Sequence, residues 1–254
     1  MGVAANVAHA AYCAAESMGP LFRAFGADTR FYDSRATESH VIRGRQAFLS
    51  VWEDKAILAF RGTEVAETLR LKTPEALRTA VAKWGLALPE VLDTFVATDI
   101  LDDLRFTLAP YQQSRVHQGF LQATLDLWPA IEADLKTLCR PSGIPVYVTG
   151  HSLGGAMAVI AGMTYPFERI VTFGAPRVGQ DLQRSLPDPT LHIRCVNGND
   201  PVPRLIPSGG PFRYRHHGDL SRIVDRTHGG PNALYDHAIV NYAAVLQEEG
   251  TTAL

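Results

Sequence analysis

The stretch Val146-Tyr147-Val148-Thr149-Gly150-His151-Ser152-Leu153-Gly154-Gly155-Ala156-Met157 constrains the fold of this chain more than any other. Its first part is a short apolar run rich in β-branched residues, the pattern of a strand buried on both faces. Its centre is Gly-x-Ser-x-Gly around Ser152. An Ala/Met/Val/Ile segment then runs to Gly162 and reads as a buried helix. A serine between strand and helix sits on a turn too tight for side chains on both flanks, which accounts for glycine two before and two after it. The turn lifts the Ser152 hydroxyl clear of the sheet. It also leaves the Leu153 N–H at a helix N-terminus, where partial positive charge favours a developing oxyanion. Chance alone supplies this five-residue pattern in on the order of one in ten chains of this length. The flanking strand and helix supply the context that the pattern requires.

A serine hydroxyl is a weak nucleophile near neutral pH, so it needs a histidine to take its proton and a carboxylate to orient that histidine. In α/β folds with this elbow the order along the chain is Ser, then Asp or Glu, then His. Asp200 is the best-placed carboxylate, in a loop just past the strand 191–196, with a capping or turn aspartate as the alternative. His216, His217, His228 and His237 follow it. His237 directly precedes a final helix from about Ala238 to Glu248 and leads by position, with His216 second. His228 lies among Gly229, Gly230 and Pro231. His216 and His217 fall in a candidate strand within Phe212 to Val224.

A second oxyanion N–H should come from an earlier strand-to-helix loop. The run Ala56-Ile57-Leu58-Ala59-Phe60 ends in Arg61-Gly62-Thr63-Glu64, at the kind of strand end where open α/β sheets place their sites. Thr63 is positioned to supply that N–H, with a plain strand-end turn as the alternative reading. The extended pattern from His40 to Trp52 pairs with 56–60 as an antiparallel hairpin leading into a mostly parallel sheet. Ile170–Phe173 and Leu191–Val196 are further strands. Residues 5–17 read as a surface helix ended by Gly19-Pro20, while Phe31 to Arg35 is ambiguous. An amphipathic helix follows Gly119, with Leu121, Leu125, Trp128, Ile131, Leu135 and Leu138 on its core face and a stop at Pro141-Ser142-Gly143.

Residues 64–98 are longer than a hydrolase core requires. Leu77, Val81, Trp84 and Leu88 recur at helical spacing, which reads either as a mobile lid over the nucleophile or as a fixed cap. Without repeats or low-complexity linkers, the 254 residues read as a single α/β domain, 1–254, carrying 64–98 as an insertion. The net charge of −2 argues against a nucleic-acid binder. No apolar run reaches the length of a membrane span. The Ala-rich start has no basic region of a secretory signal, which implies a cytoplasmic protein, or a secreted one if the chain begins after a removed signal. Cys13, Cys139 and Cys195 are odd in number and widely spaced, so free buried thiols are expected. No metal-ligand spacing occurs, and neither metal nor cofactor is expected.

Taken together, Phe60-Arg61-Gly62-Thr63, His117-x-Gly-Phe120, Gly150-His-Ser-Leu-Gly-Gly-Ala156, Phe173-Gly-x-Pro-Arg-Val-Gly179, Asn199-Asp-Pro-Val-Pro203, Tyr214-x-His-x-Gly218 and His237 with Tyr242 resemble the class 3, fungal-type lipases, from about Ala11 to Leu246. The resemblance implies an α/β-hydrolase fold with Ser152 as nucleophile, Asp200 as orienting acid and His237 as base. It implies oxyanion donors at Thr63 and Leu153 and makes Tyr214-x-His216 structural. It also implies ester hydrolysis, chiefly of acylglycerols, with transient contact at lipid interfaces. Esterases on short or aromatic esters, phospholipases A1 and acyltransferases share this machinery, and an inactive lipid-binding protein is the rival of another class. The Trp-x-x-Asp-Leu stretch common in the family is absent. Its nearest match, Ile100-Leu-Asp-Asp103-Leu104, lacks the tryptophan and is displaced by about 30 residues, the segment 64–98.

Overall fold

The structure is a computed structural model, and it describes residues 1–12, 15–34, 45–62, 107–209, 213–223 and 236–248. Thr63, the segment 64–98, the stretch 100–104, Cys13 and His228 lie outside the described residues.

The apolar runs expected to be strands are strands. β1 (Asp28–Asp33), β2 (Gln46–Val51), β3 (Ala56–Phe60), β6 (Val146–His151), β7 (Arg169–Phe173), β9 (His192–Asn197) and β10 (Asp219–Ile223) form one seven-stranded sheet in the order β1-β2-β3-β6-β7-β9-β10. β1, β2 and β3 pair antiparallel, and from β3 to β10 every pair is parallel. Phe31 to Arg35, ambiguous by sequence, begins inside the edge strand β1. β4 (Leu108–Tyr111), β5 (Ser114–His117) and the two-residue β8 (Gly179–Gln180) make a small separate sheet.

Register explains why chemistry gathers at one edge. Phe60 pairs with Gly150, His151 with Phe173, and Phe173 with Cys195. The four central parallel strands therefore stop almost level, and the turns after them share one rim, as open α/β sheets require for a site.

Both faces of the sheet are covered. Val146, Val148 and Ile170 point to the side packed by α5 (Leu153–Gly162) and α3 (Gln118–Leu125). Val171, Phe173, Cys195 and Ile223 point to the other side, against α1 (Gly2–Ala10) and α7 (Ile239–Glu248). Alternate side chains thus serve opposite cores, as the two-residue period of a strand dictates.

Four expectations are corrected. The first helix is not a surface helix over 5–17. It is α1, and its Ala4, Ala5, Val7 and Ala8 are buried. Alanines let a helix lie close on a sheet, but their small side chains leave little polar–apolar contrast to mark the buried face. Gly19 and Pro20 do not end a helix, since both lie inside α2 (Ala15–Ala24). Nor is the helix after Gly119 continuous: α3 ends at Leu125, α4 (Trp128–Asp134) restarts with Pro129 in its first turn, and a π-helical turn follows over Leu135–Cys139. The break rotates the register, so Leu125 is exposed and Leu127 is buried in its place. Finally, His216 and His217 precede β10 in irregular backbone rather than sitting in a strand.

Cys139 and Cys195 are buried, and neither forms a disulfide among the described residues. Among the described residues, no helix is long and apolar enough to cross a membrane, and no cluster of three His, Cys, Asp or Glu side chains could hold a metal ion.

Candidate active site

Ser152 stands between β6 and α5 with φ 56° and ψ −125°, a left-handed backbone that few residues other than glycine adopt. The conformation is held from outside: the Ser152 N–H donates to the Phe173 carbonyl of β7 at 2.9 Å. The flanking glycines are needed for close approach. A Cβ on Gly150 would collide with the Gly154 carbonyl, and one on Gly154 with the Phe60 carbonyl at the end of β3. Leu153 begins α5, so its N–H has no intrahelical acceptor and points out at the positive end of the helix dipole.

Asp200 follows β9 and is fully buried. His237 Nδ1 lies 2.9 and 3.0 Å from its two carboxylate oxygens. The Val202 N–H donates to Oδ1 at 2.9 Å, and the Tyr242 hydroxyl donates to Oδ2 at 2.5 Å. Tyr242 in turn accepts the Asn197 N–H at 3.0 Å, which ties β9 to α7. Burial, then the negative charge of Asp200, raises the Tyr242 hydroxyl well above its usual range, so it remains a donor. The space among these groups exists only because residue 174 is glycine (φ 56°): a Cβ there would strike Asp200 Oδ2 and stand 3.0 Å from His237 Nδ1.

With Nδ1 facing a carboxylate, that nitrogen carries the proton in neutral His237, and Nε2 keeps its lone pair. His237 Nε2 and Ser152 Oγ are both buried, and neither has a hydrogen-bond partner among the described residues. A base lone pair and a hydroxyl left unpaired in a buried site are costly for a purely structural arrangement.

A second histidine supports the first. His151 Nε2 meets the His237 carbonyl at 2.7 Å, so Nε2 donates and Nδ1 must accept. The Tyr12 hydroxyl donates to that Nδ1 at 2.7 Å. Burial, then the neighbouring His237, depresses His151 far below the usual imidazole range and keeps it neutral. Tyr12 also lies against Gly62, where a Cβ would meet its hydroxyl and stand 3.2 Å from the Ser152 Cβ. Gly62, two residues past β3 and one before Thr63, is thus packed on the serine. His216, the second candidate, has its Nε2 engaged by the Pro203 carbonyl at 2.9 Å.

Sequence reasoning missed Asp236 and the part played by Tyr12. Asp236 is buried and accepts the Asn199 N–H at 2.7 Å, fixing the loop that carries Asp200. No pattern marked it, because an aspartate beside a histidine is unremarkable until the two loops are seen together.

The chain matches the family described as Lipase (class 3) over residues 57–209, more than half of its length. It belongs to the class 3 lipase family. Among its curated relatives, the secreted mono- and diacylglycerol lipase 1 of Fusarium solani is 38% identical over 113 residues, covering 40% of this chain and 32% of that protein. Toxin TseL of Vibrio cholerae is 29% identical over 228 residues, 71% of this chain and 35% of the toxin. The Rhizopus niveus lipase is 33% identical over 146 residues, 50% and 36% of the two chains. The chain therefore spans about a third of the length of these relatives. Its fold matches the Rhizomucor miehei lipase–propeptide complex with a TM-score of 0.60 at 20% identity, over 89% of this chain and 68% of that one. A fungal lipase–inhibitor complex matches at 0.62 and 20% identity, over 88% and 79%. The class 3 fold is an α/β hydrolase, and this chain has it.

Replacing Tyr242 with phenylalanine removes a donor from a buried carboxylate and leaves the Asn197 N–H without its acceptor. We expect about 2–3 kcal/mol of lost stability, read as a lower urea midpoint at unchanged slope. An unchanged midpoint would mean that neither bond matters to folding.

Proposed function

We propose that this chain is a serine carboxylester hydrolase acting on acylglycerols, with Ser152, His237 and Asp200 as its triad. The observation that carries the reading is the pair of buried, unpartnered groups, Ser152 Oγ at a strained elbow and His237 Nε2 backed by Asp200. The named lipases among the relatives support an ester substrate. Secretion of the Fusarium relative supports action outside the cell.

In the proposed reaction Ser152 Oγ attacks the ester carbonyl carbon while its proton passes to His237 Nε2. The imidazolium so formed is stabilised by Asp200 through Nδ1–H. The carbonyl oxygen becomes an oxyanion, which the Leu153 N–H and the Thr63 N–H receive. Collapse expels the glycerol oxygen, which takes the proton from His237, and leaves an acyl-enzyme. Water, deprotonated by His237, then attacks that ester and restores Ser152. Three donors converge on the Asp200 carboxylate and hold it against Nδ1.

The test is initial rates on glycerol esters of increasing chain length, below and above their solubility limits, with Ser152→Ala as control. Hydrolysis that rises steeply above the limit for long chains marks a lipase that works at an interface. Smooth saturation on short soluble esters alone would sink the acylglycerol assignment in favour of a short-chain esterase.

A further inference from the structure

Arg177 and Arg204 follow β7 and β9 on the rim that carries Ser152 and Asp200, and Arg213 and Arg215 lie in the stretch before β10 that is bonded to Gly179 and Pro203 beside them; the proposed reaction uses none of the four. Arg177 lies in the turn after β7. Its Nη1 donates to the carbonyls of Arg204 at 3.1 Å and Ile206 at 2.5 Å. Arg204 is exposed on α6 (Val202–Leu205), a helix that starts two residues past Asp200 and is tied to it by the Val202 N–H. Arg215 is exposed, and its guanidinium donates to the Ser208 and Tyr214 carbonyls while its N–H bonds the Gly179 carbonyl at 2.7 Å. Arg213, two residues earlier, is exposed at φ 44°. The four come from three separate stretches of sequence, so no basic run announces them; tertiary folding makes the cluster.

Their charge is left standing. Every recorded bond from these guanidinium groups goes to a neutral carbonyl oxygen, and none of the four pairs with a carboxylate among the described residues. Arg177 is pressed below its usual range first by burial and then by the charges of Arg215 and Arg204. Like charges gathered without counter-charges repel one another, and the net charge of −2 shows that the chain has acids to spare elsewhere. Carbonyl bonds hold Arg177 and Arg215 in fixed directions, and a fixed guanidinium matches phosphate oxygens well.

We propose that this cluster is a docking surface for anionic phospholipid headgroups, which holds the Ser152 rim of the sheet against a negatively charged lipid surface. It rests on the reading of lipid esters as substrates and adds to it which surface the enzyme prefers. A planar array of phosphates can meet several exposed arginines at once, and each cation near such a surface strengthens binding about fivefold. The attraction is local, since it falls off within a Debye length of about 8 Å at physiological salt.

The experiment is co-sedimentation of the full chain carrying Ser152→Ala, so that vesicles are not consumed. Vesicles of phosphatidylcholine alone are compared with vesicles of phosphatidylcholine mixed with phosphatidylglycerol. Tighter binding to the anionic vesicles, weakened by sodium chloride, is expected. The double replacement Arg204→Glu/Arg213→Glu, at side chains with no recorded bond, should weaken that binding on the order of 25-fold or more. In the Ser152 background the same pair should leave hydrolysis of a soluble short-chain ester unchanged, which also shows that the variant folds. Equal binding to both vesicles, or undiminished binding by the double variant, overturns the proposal. So does displacement by inorganic phosphate that exceeds displacement by chloride at equal ionic strength, which would mark a site for the free anion. Absence of ester hydrolysis in the unaltered chain would instead defeat the proposed activity, and the vesicle comparison reads separately from it.

Discussion

Replacing Ser152 with alanine is expected to lower ester hydrolysis about 10⁴-fold or more, and His237→Ala should do much the same. The size follows from what each removes. Without Oγ there is no acyl-enzyme path, and without Nε2 the hydroxyl keeps its proton at neutral pH. The two should not add: the double replacement should be about as slow as either single one, because a nucleophile without its base and a base without its nucleophile are equally idle. Residual turnover would come from the proposed oxyanion donors, the Leu153 N–H and that of Thr63, polarising the carbonyl for water. Ser152→Ala should not disturb folding, while His237→Ala takes a donor from the buried Asp200 carboxylate and should lower stability without unfolding the chain. Ser152 Oγ has no hydrogen-bond partner among the described residues, and the bond that shapes its backbone comes from its N–H to Phe173. His151 bonds to the His237 carbonyl, which alanine keeps. A phosphonate ester should label the unaltered chain at one site and leave Ser152→Ala unlabelled. Retention of even a tenth of the activity in a clean Ser152→Ala preparation would put the nucleophile elsewhere.

The central sheet was legible because burial on both faces forces a signal. β3 is a continuous apolar run, and β6 and β7 carry three apolar residues each in short strands buried along most of their length. The elbow was legible because its close approaches admit only glycine at 150 and 154. The carboxylate and histidine followed from chain order and from their places just past a strand and just before a helix, and the structure brings Asp200 and His237 together there. What escaped was set by contacts between distant segments. α1 is buried by α7 and the sheet, yet its alanines give no stripe to read. The bend between α3 and α4 trades Leu125 for Leu127, and a seven-residue period cannot register a local rotation of the helix. Tyr12 and Asp236 serve the site from opposite ends of the chain, and nothing near either in sequence names its partner.

Acidification below about pH 6.5 should destabilise this protein steeply, before its carboxylates begin to protonate near pH 4. Four histidines outside the proposed triad are folded into sites that suit only the neutral ring. His151 is one of them. His192 and His217 form another unit in which every proton has a place: Thr172 donates to His192 Nε2 at 3.0 Å, His192 Nδ1 donates to His217 Nδ1 at 3.3 Å, and His217 Nε2 donates to the Leu186 carbonyl at 2.7 Å. Burial depresses both, and for His192 the neighbouring His217 is the next cause. His216 is pushed down to about 3, by burial and then by Arg194 and Arg177. For each ring the folded pKa lies below the unfolded value of 6.5. The unfolded chain therefore takes the proton first. The stabilisation is complete above pH 6.5 and is lost as pH falls from there towards the folded pKa, with a limiting slope of about 1.4 kcal/mol per pH unit for each histidine. Each of the four adds to the fall, so acid acts on several buried rings at once. Urea midpoints measured from about pH 7.5 down to about pH 5 should fall along that slope. His216→Gln, which retains a donor for the Pro203 carbonyl, should remove about one proton's share of it. A midpoint that stays level down to pH 5 would mean that these rings reach water far more readily than their contacts imply.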